Sequence, residues 1–281
     1  MAILIAKAAR PWALRLIPPF PAVANRVLSL VDADDVAINQ ISEQIALDPS
    51  FTAEILRVAN SALFGVRREI ATVRHAVSLL GLTRVKAMAT LLAVNSMVKP
   101  AMRVESLRKF WVHSLVTAIL TDETARISNA PLEGAYTAGL LHNLGTLGLM
   151  SAFPEEYARM LEVSQEYGFD LIRTERDLFE IDHCAAGAVL AEEWDFPEPI
   201  VVAIARHHEE PPRHATTLYS LVQICWRLAD VLGFSAFPPD RPWTYDELIE
   251  RMPAQRSSWL TAGADEAEGE ISARLSDLSL K

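Results

Sequence analysis

Cysteine and glycine are scarce in this chain of 281 residues, and basic residues are outnumbered by acidic ones. Two cysteines, Cys184 and Cys225, are too few for a disulfide framework and suit a reducing compartment. Eleven glycines beside abundant alanine and leucine favour helix over strand. Lysine and arginine number 26 against 36 aspartates and glutamates, which gives a formal net charge of −10. That balance argues against binding to nucleic acid, whose phosphates require a basic face.

Long apolar runs are missing as well. The N-terminal segment is apolar in part, but Lys7, Arg10 and Arg15 interrupt it and Pro11 breaks it, so it predicts no transmembrane helix. Its charges follow the apolar run instead of preceding it, which is not the order of a signal peptide. We therefore expect a cytoplasmic protein with no membrane partner. Because 51% of the residues are hydrophobic, the chain can bury a large core.

Helix signals recur along nearly the whole chain, and no segment alternates as a strand would. Asp48 before Pro49 is a typical helix start, and Thr72 can cap a helix that ends at Gly81. Further helices are predicted over residues 105–127, 154–167, 170–181, 182–194, 198–207 and 215–232, and after the capping box of Thr244 and Glu247. The predicted fold class is all-α and multi-helical.

These helices divide the chain into three predicted parts. Residues 1–100 form an N-terminal helical subdomain, and residues 101–235 form a second helical subdomain that packs against it. Residues 236–281 supply a C-terminal helix and a mobile acidic tail. The mobility is inferred from residues 261–270, which are rich in alanine, glycine, aspartate and glutamate.

The histidines are the most informative residues, because imidazole is both a metal ligand and a proton carrier near neutral pH. Five of the seven form a candidate set: His113, His142, His183, His207 and His208. His75 and His214 have no convincing partners and are predicted to lie at the surface. Asp230 follows the set on an apolar helix, where an acid needs a partner.

Each of these residues also has a purely structural interpretation. His142 can complement the dipole of a helix C-terminus. His183 follows the N-cap Asp182, where a cation is disfavoured, so a neutral imidazole is expected, on a metal or in a hydrogen bond. The other interpretations are a core position for His113, a helix cap for the pair His207 and His208, and an ion pair with Arg227 for Asp230.

Taken together, the order of these residues resembles the HD superfamily of metal-dependent phosphohydrolases, whose pattern is a His, then His-Asp, further histidines and a final Asp. The chain reads His142-Asn143-Leu144-Gly145-Thr146 and His207-His208-Glu209 where relatives that hydrolyse cyclic dinucleotides have His-Asp-Ile-Gly-Lys and His-His-Glu. The segments 17–21, 48–53, 56–65 and 76–81 are similar to the HDOD domain, the HD-related output domain of bacterial signalling proteins. The resemblance implies an all-helical fold in a bacterial regulator.

Three departures from that pattern argue against hydrolysis. Asn143 stands where the superfamily has a carboxylate that bridges two metal ions. Thr146 replaces a lysine that helps to hold phosphate. Lys109 lies one helical turn before His113, where trinuclear relatives have a glutamate ligand, and a cation there is expected to repel metal.

The sequence therefore favours a non-catalytic regulatory or signalling module that binds a ligand, metal or protein partner through an HD-derived fold. Three or four imidazoles and Asp230 would hold one divalent ion, Fe, Zn or Ni. The alternative is a metal-dependent phosphohydrolase that acts on a nucleotide or cyclic dinucleotide. The expected partners are a signalling protein or a small-molecule ligand, with a homo-oligomer as a further option.

Overall fold

The computed structural model describes residues 10–17, 19–31, 38–60, 70–99, 101–128, 134–215, 217–238, 241–254 and 256–278. Within these residues all regular structure is helical, so the predicted all-α class is confirmed. Residues 61–65 of the HDOD-like motif lie outside the described residues, as do Pro18 and Pro100.

The first part of the chain consists of short helices after a 3₁₀ turn at Trp12–Leu14. They are α1 (Ala22–Val31), α2 (Ile38–Ala46), α3 (Pro49–Ala59), α4 (Val73–Leu80) and α5 (Leu82–Val98). Asp48 caps α3 as predicted, since its Oδ1 accepts a hydrogen bond from the backbone N–H of Phe51 at 2.9 Å. The side chain of Asn60 then joins both backbone polar groups of Ile70, at 2.7 and 2.9 Å, and so fixes the exit of α3.

The second part continues with longer helices around a central one. They are α6 (Glu105–Ile127), α7 (Ala135–Leu141), α8 (Leu144–Ala152), α9 (Pro154–Tyr167), α10 (Leu171–Phe179), α11 (His183–Glu193), α12 (Glu198–Arg206), α13 (Leu218–Ala229), α14 (Tyr245–Arg251), α15 (Ser258–Ala262) and α16 (Ala264–Leu278). The middle of α6 is buried on every side, because α7, α8, α9, α13 and α16 all pack against it. Buried apolar side chains from both parts form one continuous core.

A close approach between α8 and α11 sets the geometry of the candidate site. A Cβ atom at Gly145 would collide with the carbonyl oxygen of His183 and lie 2.6 Å from the backbone nitrogen of Gly187. Only glycine permits this separation, because the neighbouring atoms are backbone and cannot move aside cheaply. The contact brings the start of α11 next to the turn that follows α7.

Two predicted segments differ from the structure. The helix predicted over 215–232 was too long, because Thr217 caps α13 and the chain turns into a π-helical segment at Asp230–Phe234, where Gly233 has a φ of 87°. Residues 261–270, from which a mobile tail was predicted, are mostly helical, since they include the end of α15 and the first half of the packed helix α16. Ala267 and Ile271, one turn apart, are fully buried there.

In the described part of the chain, no single helix is both long and apolar enough to cross a membrane. The pair α4 and α5 meets that test only jointly, and its two helices are bent by 112° at the break between them.

Candidate metal centre

The structure gathers the histidines of the candidate set into one group between α6, α7, α11 and the end of α12. The ring centroid of His142 lies 5.3 Å from that of His113 and 5.2 Å from that of His207. His183 and His208 complete the group, with centroids 4.8 Å apart and 5.3 and 4.5 Å from His207. His75 and His214 are exposed, as predicted.

His142 and His207 are oriented by the helices that they follow. The Nδ1–H of His142 donates to the carbonyl oxygen of Gly139 at 2.7 Å, and the Nδ1–H of His207 donates to that of Ile204, also at 2.7 Å. Each ring therefore carries its lone pair on Nε2. Both Nε2 atoms are buried and have no hydrogen-bond partner among the described residues, which is costly unless a ligand takes the lone pairs.

His183 is held by a buried carboxylate that the sequence gave no reason to single out. Glu175 of α10 is fully buried, and its Oε2 accepts hydrogen bonds from Nδ1–H of His183 at 2.6 Å and from the backbone N–H at 2.9 Å. The hydroxyl of Tyr157 donates to the other oxygen. A carboxylate on Nδ1 leaves Nε2 for a metal, the common arrangement behind metal-bound histidines. The N-cap Asp182 starts α11 as predicted.

Burial and neighbouring charged groups shift the pKa values of these rings in different directions. Burial lowers the pKa of His142, His207 and His208 well below the ordinary value of 6.5, and nearby histidines lower it further. Burial also acts to lower the pKa of His183, but the Glu175 carboxylate, with a contribution from Cys184, outweighs it and raises that pKa well above 6.5. The raised pKa of His183 differs from the neutral imidazole that its position after Asp182 predicted, because the buried Glu175 carboxylate stabilises the charged form of the ring.

His113 and Asp230 contact each other. The Nε2–H of His113 faces Oδ1 of Asp230 at 3.1 Å and the carbonyl oxygen of Trp226 at 3.2 Å, while its Nδ1 accepts from Nδ2 of Asn143 at 3.4 Å. Among the described residues Asp230 therefore forms its ion pair with His113. The sequence had offered an ion pair with Arg227 as the alternative. Both ring nitrogens of His113 are occupied by protein groups.

The three departures from the superfamily pattern lie in different places. Asn143 and Thr146 are buried and line the cavity beside the histidines. Lys109 is exposed and is not among the lining residues, whereas its neighbour Phe110 is. The expected repulsion of metal by Lys109 is therefore not supported, because a long ammonium side chain at the surface keeps its charge in water.

The cavity itself is small, with a volume of about 70 Å³. Its lining includes three of the histidines, His113, His183 and His208, together with Trp226, the start of α10 and residues 236–238. A single water needs roughly 10–15 Å³ and a pocket for an organic ligand roughly 300–1,000 Å³. This volume suits an ion with a few waters and is well below the usual volume of a pocket for an organic ligand.

Cys184 adds a sulfur to the group, and sequence reasoning missed it as a candidate. Its Sγ lies 3.9 Å from Nδ1 of His207, and one potential ligand atom from each of His183, Cys184, His207 and His208 falls within 4.8 Å of the others. Its position directly after His183 was the available signal. Imidazoles with a thiol are a donor set suited to Zn²⁺, Fe²⁺ or Ni²⁺.

Comparison with known proteins agrees with this architecture. The family model of the HDOD domain matches residues 17–210. A curated relative, an uncharacterized protein of Treponema pallidum (strain Nichols), is 25% identical over 205 residues, which are 72% of this chain and 39% of that protein. The chain thus spans about two fifths of the length of this relative.

Solved structures with the same fold cover nearly the whole chain. An HDOD domain protein of unknown function from Geobacter sulfurreducens has a TM-score of 0.71 at 23% identity, and covers 94% of both chains. A protein from Marinobacter aquaeolei VT8 named "Putative signal transduction protein" has a TM-score of 0.67 at 25% identity, over 94% of this chain and 60% of that one. A "Putative phosphohydrolase" from Shewanella amazonensis SB2B has a TM-score of 0.65 at 24% identity, over 96% of each chain.

Proposed function

We propose that this chain, which belongs to the HDOD domain family, is a bacterial regulatory module without catalytic activity. In this proposal its histidine cluster holds one divalent metal ion. The observation that carries the proposal is the pair of unpartnered, buried Nε2 atoms on His142 and His207. Lone pairs in that state are stabilised by a cation or a donated proton, and burial disfavours the proton on both rings.

The metal-binding set consists of His142, His183, His207 and His208. In His142, His183 and His207 the Nδ1–H donates to a protein acceptor, so Nε2 is the nitrogen of each ring that a metal ion would take. Three or four neutral imidazoles suit Zn²⁺, Fe²⁺ or Ni²⁺, and the ion would act there as a cross-link between helices.

The same geometry argues against hydrolysis. Two-metal hydrolysis needs an anionic bridge between the ions, and Asn143 offers a neutral amide that donates to His113. Asp230, the anionic member of the set, is paired with His113. The cavity of about 70 Å³ is also well below the usual volume of a pocket for an organic ligand.

A bound ion would connect α7, α11 and the segment after α12, which gives it a route to the N-terminal part. Helix α5 packs on both α7 and α8, and the hydroxyl of Ser151 donates to the carbonyl oxygen of Met97 at 2.9 Å. An ion that binds one packing of these helices more tightly than another shifts the population towards it. We place this module in the cytoplasm, with a protein partner that binds the surface of α1–α5.

Metal titration of the full chain tests the proposal. Protein stripped with a chelator is titrated with Zn²⁺ or Co²⁺, alongside His142→Ala and His207→Ala, with His75→Ala and His214→Ala as matched controls at exposed histidines. We expect one ion per chain in the parent and the controls, and a loss of at least tenfold in affinity in the two cluster variants. Equal affinity in all five proteins contradicts the proposal.

The alternative, a metal-dependent phosphohydrolase, is favoured by one observation, the convergence of five histidines and Asp230 on one site. It is tested with cyclic dinucleotides and nucleoside monophosphates in the presence of Mn²⁺, Mg²⁺, Fe²⁺ or Ni²⁺. We expect no turnover above the level of the His142→Ala variant. Steady turnover that this substitution removes would establish the alternative.

A further inference from the structure

A second cluster of side chains, separate from the histidines, surrounds the indole of Trp243. The guanidinium carbon of Arg241 lies 4.1 Å from the centroid of that ring, that of Arg251 lies 4.9 Å away and that of Arg227 lies 5.7 Å away. Cations within about 6 Å of an indole face are attracted by the negative charge of its π system. We call these four residues the Trp243 cluster.

The three arginines also contact every residue from 207 to 211. Arg227 donates to the carbonyl oxygens of His207, His208 and Glu209 at 3.2, 3.0 and 3.0 Å. Arg241 donates to the carboxylate of Glu210 at 3.2 Å, and Arg251 to the carbonyl oxygen of Pro211 at 2.7 Å. The Trp243 ring thus contacts all three donors that bind this continuous segment, although Arg227 lies closer to the ring of Trp226, at 4.5 Å. The segment carries two of the histidines.

This cluster belongs to the part of the chain beyond residue 210, where the match to the family ends. Arg227 comes from α13, Arg241 and Trp243 from the segment before α14, and Arg251 from the end of α14. The histidine pair lies inside the family match, whereas the side chains that hold its backbone lie outside it. The arrangement is therefore a feature that the C-terminal part of this chain adds to the site.

Bringing three cations together is costly, and the structure offsets that cost locally. The pKa of Arg227 is lowered to about 10, chiefly by burial and to a smaller extent by Arg241 and Arg251, while Asp230 and Glu210 act in the opposite direction. The carbonyl and carboxylate acceptors on residues 207–211 and the indole face together satisfy the guanidinium groups.

We propose that the Trp243 cluster positions His207 and His208 and thereby sets the metal affinity of the centre. The inference rests on the proposed metal-binding function. The direction of an imidazole lone pair depends on the backbone that carries the ring, so a segment held at five consecutive residues presents both rings in one geometry. Residues that orient ligands in this way typically change metal affinity by about 10–100-fold when they are lost.

The experiment compares Trp243→Ala with two further variants of the full chain. Trp243→Phe keeps an aromatic face for the arginines. Trp259→Ala is the matched control, because Trp259 is also half-buried and the guanidinium carbon of Arg274 lies 5.2 Å from the centroid of its ring. Two measurements are made on each protein: the Co²⁺ affinity in competition with a chelator, and the hydrogen exchange of the amides of residues 207–210 in metal-free protein.

We expect Trp243→Ala to lower the Co²⁺ affinity by roughly 10–100-fold and to speed exchange at residues 207–210. Trp243→Phe should recover most of both losses, and Trp259→Ala should match the parent. If Trp243→Ala does not fold, Arg251→Gln takes its place, because it removes a guanidinium that contacts both the Trp243 ring and the carbonyl oxygen of Pro211.

The two readouts separate this inference from the metal-binding proposal. A parent that binds no Co²⁺ contradicts metal binding and with it the claim about affinity, while faster exchange in Trp243→Ala would still show that the cluster holds the segment. A folded Trp243→Ala protein with parental affinity and parental exchange overturns the inference outright.

Discussion

Nε2 of His183 lies 2.9 Å from Nε2 of His208, so a proton must lie between the two nitrogens. His183 is the ring that carries it, because burial keeps the pKa of His208 low while the Glu175 carboxylate raises that of His183 against the effect of burial. A metal ion that takes both nitrogens has to displace this proton.

Metal affinity should therefore rise with pH. Since the pKa of His183 in the folded protein lies above 6.5, each ion that binds between pH 6 and that pKa releases one proton, and the apparent affinity gains roughly tenfold per pH unit. Calorimetric titration with Zn²⁺ in two buffers of different ionisation enthalpy measures the number of protons released. An affinity that is constant between pH 6 and 8, with no proton release, is incompatible with this arrangement.

Replacing Glu175 with Gln should weaken both the metal site and the fold. The substitution leaves His183 without its buried counter-ion, which costs about 3 kcal/mol in typical buried pairs. The sign follows from the raised pKa: the pair contributes stability below pH 6.5 and loses it as the pH rises through the folded pKa of His183. Chemical unfolding of metal-free protein at pH 6 and pH 9 checks this, and an equal effect at both values would refute it. Glu166→Gln, at an exposed glutamate of α9, is the control.

An Asn143→Asp substitution should strengthen metal binding. The amide of Asn143 donates to Nδ1 of His113, and a carboxylate there could only accept hydrogen bonds and would add a negative charge beside the cluster. Competition with a chelator measures the change, for which we expect a gain of about tenfold. No gain would mean that the shape of the cavity, and not the missing carboxylate, limits the site.

Gly145→Ala should disrupt the contact between α8 and α11. The new methyl group would meet the backbone of His183 and Gly187, so the helices would have to separate, at a cost of roughly 3 kcal/mol. Gly269→Ala in α16 is the matched control, because nothing lies within 4 Å of its Cβ position and alanine favours helix there. Thermal unfolding compares the two, and a Gly145→Ala protein as stable as the parent would show that α8 and α11 can move apart freely.

The local signals in the sequence predicted much of this structure. The helix over residues 105–127 has the predicted bounds, and the caps at Asp48, Thr72 and Asp182 and the capping box at Thr244 form as their residue types indicate. These features depend on neighbours within four residues. The spacing of the histidines, together with the resemblance to a known family, was enough to predict that they would be found together.

The features that the sequence did not reveal depend on contacts between distant segments. In the sequence Glu175 is an ordinary acid on an amphipathic helix, and only the fold brings its carboxylate to Nδ1 of His183. The role of Trp243 likewise depends on three arginines that come from different elements. The tail was predicted to be mobile from its composition, but the buried stripe of Ala267 and Ile271 and the bond from Arg274 to the buried Glu123 at 3.2 Å hold it as α16.

The most direct test of the central claim is the metal content of the full chain purified without chelator, measured by elemental analysis beside a His142→Ala/His207→Ala double variant. The account predicts close to one equivalent of Zn, Fe or Ni in the parent and much less in the variant. A parent that contains no metal, and takes up none when Zn²⁺, Fe²⁺ or Ni²⁺ is supplied, would contradict it.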